Sequence, residues 1–237
     1  LSLRYYRFGR TVGDSVKFVY PHIDFVFDTE CGKVNTLVIE NQPLFTSVLS
    51  DIRSQLSGND GVSVLSQSDK IISISKNLEL LDSFVPFELN SKTIVSRIAA
   101  DLESKAVSDD FYIRTAETVS RVEALLDSLA FDYSCDIDFT KIDIGAIIKA
   151  SGITVRSSHD SLAENVLDYF ELITEFVGKK LFVTVNLRCY ISDKQAELFA
   201  ATVLSHGYHL IMIEGFEHER IPNENRLVVD SDLCLIM

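Results

Sequence analysis

The sequence predicts an α/β fold, a mostly parallel sheet with helices on both faces, into which an α-helical segment is inserted. Three short apolar runs are typical of buried strands: Thr36–Glu40, Leu181–Asn186 and Tyr208–Glu214. Amphipathic helical patterns alternate with these strands, and such alternation indicates a parallel sheet that is covered on both sides. Almost every residue from 91 to 131 instead follows a helical pattern, which indicates the insertion.

Capping residues mark where helices of the α/β part begin. Asn41, followed by Pro43 in the first turn, precedes one helix, and Asp160 precedes another. Ser192 precedes a third helix, where Gln195 completes a capping-box pattern. Four shorter strands are expected at Val62–Leu65, Ile71–Ser75, Ile153–Arg156 and, at an edge of the sheet, Arg226–Val229.

The inserted segment contains two helices. Asn90 or Ser91 caps the first helix. The second carries apolar residues in a 3-4-3 spacing that resembles a short coiled-coil seam: Val119, Val122, Leu126 and Leu129. Two antiparallel helices inserted in an α/β chain are expected to protrude as an arm. We therefore predict a globular α/β head over residues 1–85 and 132–237, and a helical leg over residues 86–131.

The net charge limits the classes of partner. The chain has 22 basic and 35 acidic side chains, a net charge of −13, whereas a DNA-binding surface is usually basic because it neutralises phosphates. DNA binding therefore requires that basic groups gather on one surface, or that divalent cations offset the carboxylates.

We expect a cytoplasmic protein with no membrane partner. No apolar run approaches the roughly 18–20 residues that a membrane helix needs, and the first residues lack the pattern of a signal peptide. None of the cysteines forms a CxxC pair, which favours reduced thiols over a zinc ribbon or a disulfide scaffold. They are Cys31, Cys135, Cys189 and Cys234.

The sequence contains no recognisable catalytic motif. A P-loop needs glycines and a lysine around the phosphates, but the junction after the first buried strand reads ENQPLF, where Pro43 also lacks an amide donor. Gly9 and Gly13 precede Lys17 with the wrong spacing, and no serine or cysteine lies in a nucleophile motif. We therefore expect that the protein is not an enzyme.

A run of aspartates is the strongest candidate for metal binding: Asp132, Asp136, Asp138 and Asp143. If Cys135–Phe139 forms a strand, Asp136 and Asp138 share one face about 6–7 Å apart, where a cation would relieve their repulsion. The alternative is a solvated acidic surface, because the spacing of an EF-hand is missing.

Histidines form a second, weaker candidate for metal binding. His206 and His209 could bind a metal ion together with His218 or Glu217. The helix breaks at Gly207, however, which favours capping or core histidines.

Five segments carry a resemblance to a known family. They are LVIENQPLF at 37–45, NSKTIVSRIAADLESK at 90–105, DIDFTKIDIGAIIKASGITV at 136–155, GKKLFVTVN at 178–186 and YHLIMIE at 208–214. In this order and spacing they resemble the CRISPR-associated Csn2 family of subtype II-A systems. The resemblance covers most of the chain and is closest over residues 90–214.

The resemblance implies a head similar to the ATPase heads of chromosome-maintenance proteins, with a helical leg inserted. It implies a homotetrameric ring that takes double-stranded DNA ends through a basic hole during spacer acquisition, a step of antiviral defence. Members bind calcium, lack nuclease and ATPase activity, and work with the adaptation integrase and the effector nuclease. The family's acidic stretch favours calcium ligands at Asp132, Asp136 and Asp138, with Asp127 and Asp143.

The candidate DNA-binding residues are basic: Lys141, Lys149, Lys179, Lys180, Arg4 and Arg7. The lysines lie in regions of close resemblance, and the arginines lie in a basic N-terminal segment with interleaved aromatic residues. Lysines near a helix C-terminus, such as Lys149 and Lys179, also oppose the helix dipole. The arginines could equally extend from an edge strand.

Two other functions stay open. The net negative charge favours a pure protein scaffold for the adaptation complex, and a divergent nucleotide hydrolase would need a catalytic motif that the sequence does not show.

Overall fold

The computed structural model describes residues 15–29, 32–157 and 159–237. These residues divide into two compact units. The head comprises the described residues up to Phe87 and those after residue 158, and the helical unit comprises Glu88–Ser157. Residues 132–157, predicted to belong to the head, are part of the helical unit.

All strands of the described residues lie in the head. They are β1 Val16–Val19, β2 Val26–Asp28, β3 Val34–Ile39, β4 Val64–Gln67, β5 Lys70–Ile72, β6 Leu78–Leu81, β7 Leu181–Val185, β8 His209–Glu214, β9 Glu224–Val229 and β10 Leu235–Ile236. The helices are α1 Gln42–Leu56, α2 Ile74–Asn77, α3 Lys92–Ala106, α4 Tyr112–Ala130, α5 Ile144–Ala150, α6 Leu162–Leu172 and α7 Asp193–His206. A π-helical turn, Ile173–Val177, follows α6, and a 3-10 turn, Leu187–Cys189, follows β7.

A mostly parallel sheet forms the centre of the head, in the order β10-β9-β3-β8-β7-β6. β3 is parallel to β8 and β9, and β7 is parallel to β8 and β6. The predicted α/β class with a mostly parallel sheet is therefore confirmed. The edge position predicted for Arg226–Val229 is wrong, because the two-residue β10 pairs with the outer side of β9.

A smaller antiparallel sheet has the order β2-β1-β4-β5. β4 and β5 correspond to the predicted strands Val62–Leu65 and Ile71–Ser75, shifted by one or two residues. The predicted continuation of the second strand to Ser75 is wrong, because Ser73 is the N-cap of α2 and the chain turns into a helix there.

Helices cover both faces of the large sheet. Leu37 of β3 belongs to the same buried core as Val48 of α1. Successive side chains of a strand point to opposite faces of the sheet. The two neighbours of Phe182 in β7 belong to the core that contains Leu37 and Val48. Phe182 therefore points to the opposite face of the sheet. Its ring stacks on Phe170 of α6 with centroids 3.9 Å apart, and Phe170 also contacts Phe199 of α7.

The predicted helix starts are correct where a side chain caps the helix. Asn41 Oδ1 accepts a hydrogen bond from the Leu44 amide at 3.0 Å, and Ser192 and Gln195 form the reciprocal capping box of α7. Asp160 is not the cap of α6. Ser161 takes that position with an extended backbone, and the helix begins at Leu162.

In the helical unit, α3 packs against α5. Ser91 caps α3 by accepting a hydrogen bond from the Ile94 amide at 3.3 Å. Gly145 of α5 is buried, and a Cβ atom there would lie 2.6 Å from the side chain of Glu103 in α3. Any larger residue would therefore displace Glu103.

The second predicted helix of the insertion, α4, is much more exposed. None of its residues, all of which the structure describes, is buried. Leu125 and Leu129 expose 56% and 62% of their surface, so a large apolar area of the helix stays open to solvent within one chain.

Two predicted strands of this unit are wrong. The structure describes all of Glu88–Ser157 and places no strand there, so Cys135–Phe139 and Ile153–Arg156 have no sheet to join. In Ile153–Arg156, hydrogen bonds to the side chain of Asn90 take the place of a neighbouring strand. Asn90 Oδ1 accepts from the Val155 amide at 2.7 Å, and Asn90 Nδ2 donates to the Val155 carbonyl at 3.0 Å.

Within the described ranges, no helix has the length and apolar character needed to cross a membrane.

Candidate functional site

The aspartates predicted to bind calcium all lie in the helical unit and are exposed. Asp127 is in the last part of α4, and Asp132, Asp136 and Asp138 lie in the irregular segment that follows it. The side-by-side arrangement predicted for Asp136 and Asp138 on a strand is wrong, because this segment bends and its apolar residues are also exposed.

Two of the predicted calcium ligands already have backbone partners. Asp143 is the N-cap of α5, and its two carboxylate oxygens accept from the Gly145 and Ala146 amides at 3.1 Å each. Asp138 accepts from the Phe139 amide at 2.9 Å. None of the five aspartates belongs to a group of three described side chains with ligand atoms within 4.8 Å of one another. Calcium binding at this segment stays a prediction.

Three of the candidate DNA-binding residues are exposed lysines. Lys141 and Lys149 are exposed in the helical unit, and Lys180 is exposed in the head, where its ammonium contacts Gln67. Arg4 and Arg7 lie outside the described residues.

Lys179 differs from the other lysines because its ammonium is bound inside the head. It donates to the carbonyls of Ser75 at 2.5 Å and Leu78 at 3.0 Å, and its side chain is only 12% exposed. Burial lowers the pKa of Lys179, while the carboxylate of Glu79, 4.0 Å away, opposes that effect. The residue joins α2 and β6 to the start of β7, which gives it a structural role that competes with DNA contact.

A buried polar cluster lies at the carboxyl end of the sheet. It consists of Arg188, Cys189, Glu214, His218 and Arg226, and we call it the polar cluster. Glu214 is the last residue of β8, and Arg188 and Cys189 lie in the 3-10 turn after the adjacent β7. His218 lies in the loop between β8 and β9.

Asn186 fixes the point where the two strands end. Its backbone is left-handed, with φ 55°, and its amide donates to the Ile213 carbonyl at 2.8 Å. Its side-chain oxygen accepts from the Gly215 amide at 2.8 Å. The turns after β7 and β8 are therefore held together just beside the polar cluster.

Arg226 connects β9 to the loop that precedes it. Its guanidinium pairs with Glu224 at 2.9 Å, and both side chains are almost fully buried. It also donates to the carbonyls of His218 at 2.7 Å and Glu219 at 3.2 Å. The loop that carries His218 is thus held by its backbone.

Arg188 is the second buried guanidinium. It pairs with Asp193 at 2.6 Å and donates to the Glu219 carbonyl at 3.1 Å, while its side chain is 1% exposed. Its Nε and Nη1 atoms, and the Nε atom of Arg226, have no hydrogen-bond partner among the described residues. A buried charged group needs hydrogen bonds to offset its desolvation, so the unpartnered atoms of these guanidiniums lower the stability of the head.

Glu214 and His218 also have unused polar atoms. Glu214 is 1% exposed, and its Oε1 accepts from the Arg188 amide at 3.3 Å. Glu214 Oε2 and His218 Nε2 are 3.6 Å apart, and within the described part of the chain neither has a hydrogen-bond partner. A buried polar atom left in this way costs about 1–3 kcal/mol.

The electrostatic environment shifts the pKa of three groups in the polar cluster. Burial raises the pKa of Glu214 to about 7, although the amide and the guanidinium of Arg188 act against it. Burial and then the charge of Arg188 lower the pKa of His218. Burial and the nearby Glu214 raise the pKa of the Cys189 thiol, which is free and exposed.

The residues described bring together one group of three metal-binding side chains, Cys189, Glu214 and His218, with ligand atoms within 4.8 Å of one another. In the sequence, His218 is an alternative to Glu217 as a further ligand beside His206 and His209, and the pattern there favours capping or core histidines. His206 Nδ1 instead contacts the Thr202 carbonyl at 2.9 Å. A buried strand that ends in glutamate, with a histidine four residues later, was the signal that could have identified two of these residues.

The junction of β3 and α1 is the place where a phosphate-binding loop would be expected. There the Asn41 side chain accepts from the Leu44 amide, and the Asn41 carbonyl accepts from the Phe45 amide at 2.9 Å. Pro43 has no amide hydrogen. Pro43, Leu44 and Phe45 therefore offer no free backbone donor to a phosphate at this helix N-terminus.

Comparison with known proteins identifies relatives over most of the chain. The model of the family described as CRISPR-associated protein (Cas_Csn2) matches residues 55–233. A curated relative, CRISPR-associated protein Csn2 of Streptococcus agalactiae, is 22% identical over 207 residues, which cover 84% of this chain and 89% of the relative.

Among solved structures, a bacterial Atm1-family ABC exporter with ATP bound is similar with a TM-score of 0.41 and 14% identity. The match covers 93% of this chain, and the chain spans 37% of the exporter. A TM-score this low does not establish a common fold.

Proposed function

This chain belongs to the Cas_Csn2 family of CRISPR-associated proteins, and from that premise we propose that it is a non-catalytic, ring-forming protein that binds double-stranded DNA during spacer acquisition. The family match carries the proposal, since it spans residues 55–233 and so reaches both compact units. In this proposal the protein works in the cytoplasm beside the adaptation integrase and the effector nuclease, and calcium stabilises its ring.

The proposal that the protein is not an enzyme is supported by the junction of β3 and α1. A nucleotide hydrolase needs backbone amides that point at the phosphates, and here Asn41 accepts from the Leu44 and Phe45 amides while Pro43 supplies none. The purified protein should therefore neither hydrolyse ATP nor cut DNA. Turnover that disappears on substitution of a single carboxylate, such as Glu40 or Glu214, would contradict this proposal.

Assembly as a homotetramer is supported by the exposed apolar residues of α4. An apolar surface that one chain leaves exposed often marks an interface; of the seam residues, Leu129 is exposed, while Val119, Val122 and Leu126 are half-buried in one chain. Light scattering should report about four times the chain mass of 26.6 kDa. A monomer at every micromolar concentration would contradict the proposal.

DNA binding by a chain of net charge −13 requires that its basic groups gather on one surface, and in a ring several copies contribute cations to that surface. The exposed Lys141, Lys149 and Lys180 are the proposed contacts, and Lys179 is the weakest of the original candidates because the head binds its ammonium. Phosphate contacts of this kind are sensitive to salt and nearly independent of base sequence.

A gel-shift assay tests this function directly. We expect linear duplex DNA to be retarded, and covalently closed circles of the same sequence to bind much more weakly, because a closed ring threads onto ends. Calcium should strengthen binding relative to chelator. If linear and circular DNA bind equally, or neither binds, the ring proposal is wrong, and the second result would favour a protein scaffold.

The calcium proposal has a matched pair of variants. Asp136→Asn with Asp138→Asn should weaken calcium binding, the tetramer and DNA affinity together, because the carboxylates are proposed to fix the leg through the ion. Asp109→Asn with Asp110→Asn makes the same charge change at exposed positions of the same unit and should leave calcium binding intact. Equal behaviour of the two double variants would show that the acidic run is a solvated surface.

A further inference from the structure

The polar cluster contains a ligand set that differs from any calcium site. Cys189 offers a thiolate, Glu214 a carboxylate oxygen and His218 an imidazole nitrogen, all within 4.8 Å of one another. Calcium takes oxygen ligands, whereas a thiolate with an imidazole is typical of zinc. We propose that Cys189, Glu214 and His218 bind one zinc ion per chain.

The unused polar atoms of the cluster support this proposal independently of the ligand types. Glu214 Oε2 and His218 Nε2 lie 3.6 Å apart and find no hydrogen-bond partner among the residues described. Glu214 is 99% buried, so water cannot readily satisfy its oxygen. A single cation beside them gives both atoms a partner at once.

The backbone holds the three ligands in place. Glu214 ends a central strand, Cys189 lies in a short helical turn beside it, and Arg226 binds the carbonyl of His218 at 2.7 Å. Zinc–ligand bonds are about 2.0–2.3 Å long. The three ligand atoms, which lie within 4.8 Å of one another, have to reach these distances from one common point when the ion binds.

The two guanidiniums of the cluster do not prevent cation binding. Arg188 pairs with Asp193 at 2.6 Å and Arg226 with Glu224 at 2.9 Å, so each has its own carboxylate. The thiolate of Cys189 and the carboxylate of Glu214 then balance a divalent ion. Cys189 is exposed, which leaves a path for the ion and a fourth position for water.

The zinc proposal is independent of DNA binding. The three ligands lie in the head, and the predicted calcium ligands lie in the helical unit. Failure of one proposal therefore leaves the other unaffected.

Cobalt and zinc titrations of the intact chain test the site. The reduced protein is stripped with chelator, dialysed, and titrated first with Co²⁺ and then with Zn²⁺. We expect one equivalent of Co²⁺, with a thiolate-to-cobalt charge-transfer band that Zn²⁺ abolishes. Cys189→Ser should remove the band and weaken zinc binding at least about 10- to 100-fold, since even outer-shell partners contribute that much.

Cys234→Ser is the matched control, because it removes another exposed free thiol of the head and should keep both the band and the affinity. His218→Gln should weaken zinc binding as Cys189→Ser does, and circular dichroism verifies that both variants fold. The proposal is overturned if the parent takes up no stoichiometric metal, or if Cys189→Ser binds zinc as tightly as the parent, which would identify adventitious binding.

Discussion

The head and the helical unit bury their apolar residues to very different degrees. Every residue of β3 and β7 is buried, and the rings of Phe170 and Phe182 are stacked inside the head. By contrast, α4 has no buried residue among those described, and Leu129 is 62% exposed. The difference teaches that the head is stabilised by its own core, whereas α4 of the helical unit leaves apolar side chains exposed.

Removing an aromatic side chain from the core of the head should give the largest loss of stability. Phe170→Ala removes the partner of Phe182 and leaves a cavity, so we expect the free energy of unfolding to fall by about 3–5 kcal/mol. Leu125→Ala, on the exposed surface of α4, should change it by less than about 0.5 kcal/mol. Urea denaturation followed by circular dichroism measures both. Similar losses would show that the two regions do not differ as described.

The effect of an aspartate-to-asparagine substitution on stability should depend on pH in the head but not in the helical unit. Burial alone would raise the pKa of Asp51, but hydrogen bonds from Ser63 and from the Val62 amide hold it below its ordinary value of 3.8. A lowered pKa in the folded state adds stability above pH 4 that is lost as the pH falls through the folded pKa. Asp51→Asn should therefore cost about 1–2 kcal/mol near neutral pH and less in acid.

Asp132→Asn is the control for that exchange, measured in chelator so that metal binding does not contribute. Asp132 is exposed in the helical unit, and its substitution should leave stability nearly unchanged across the same pH range. A constant deficit for Asp51→Asn at every pH would contradict the assigned hydrogen bonds.

Removing a helix cap tests whether the two units respond separately. Ser192→Ala breaks the capping box of α7 and should lower the stability of the head by about 1 kcal/mol. Asp143→Ala should instead fray α5, so that the amides of Gly145 and Ala146 exchange hydrogen faster while the head's denaturation midpoint stays the same. A shift of that midpoint by Asp143→Ala would indicate that the units unfold together.

The smallest effect on stability is expected at Leu129, the exposed residue of the α4 seam. Leu129→Ser should change the stability of one chain by less than about 0.5 kcal/mol and yet reduce the mass measured by light scattering. Leu198→Ser, at a similarly exposed position of α7 in the head, is the matched control and should keep the assembly. If neither variant changes the mass, the seam is not the interface.

The sequence predicted those elements whose signal is local or whose burial is complete. Leu181–Val185 was recognised because every side chain of the run is buried, and Asn41 and Ser192 because a cap acts over only three residues. The alternation in Cys135–Phe139 is real in the sequence, but a strand also needs a neighbour, which the helical unit does not contain among its described residues.

The polar cluster could not be predicted in the same way. Arg188, Glu214 and Arg226 are separated along the chain, and the order of the strands brings them together. Spacing along the sequence groups His218 with the nearby histidines His206 and His209. In the fold its imidazole instead lies beside the thiol of Cys189, 29 positions earlier (218 − 189). Sequence spacing finds ligands on one helix or turn, but it does not find ligands that meet where separate strands end.

The central position of β3 has a consequence for synthesis on the ribosome. Asn35 pairs with Ile211, 176 positions later (211 − 35), and both sheet neighbours of β3 come from the last part of the chain. At translation rates of about 5–20 residues per second, β3 waits roughly 10 to 35 s for its neighbours. The helical unit emerges complete during that interval and can fold first, so the nascent protein presents an apolar central strand with both edges unpaired until β8 and β9 have been translated.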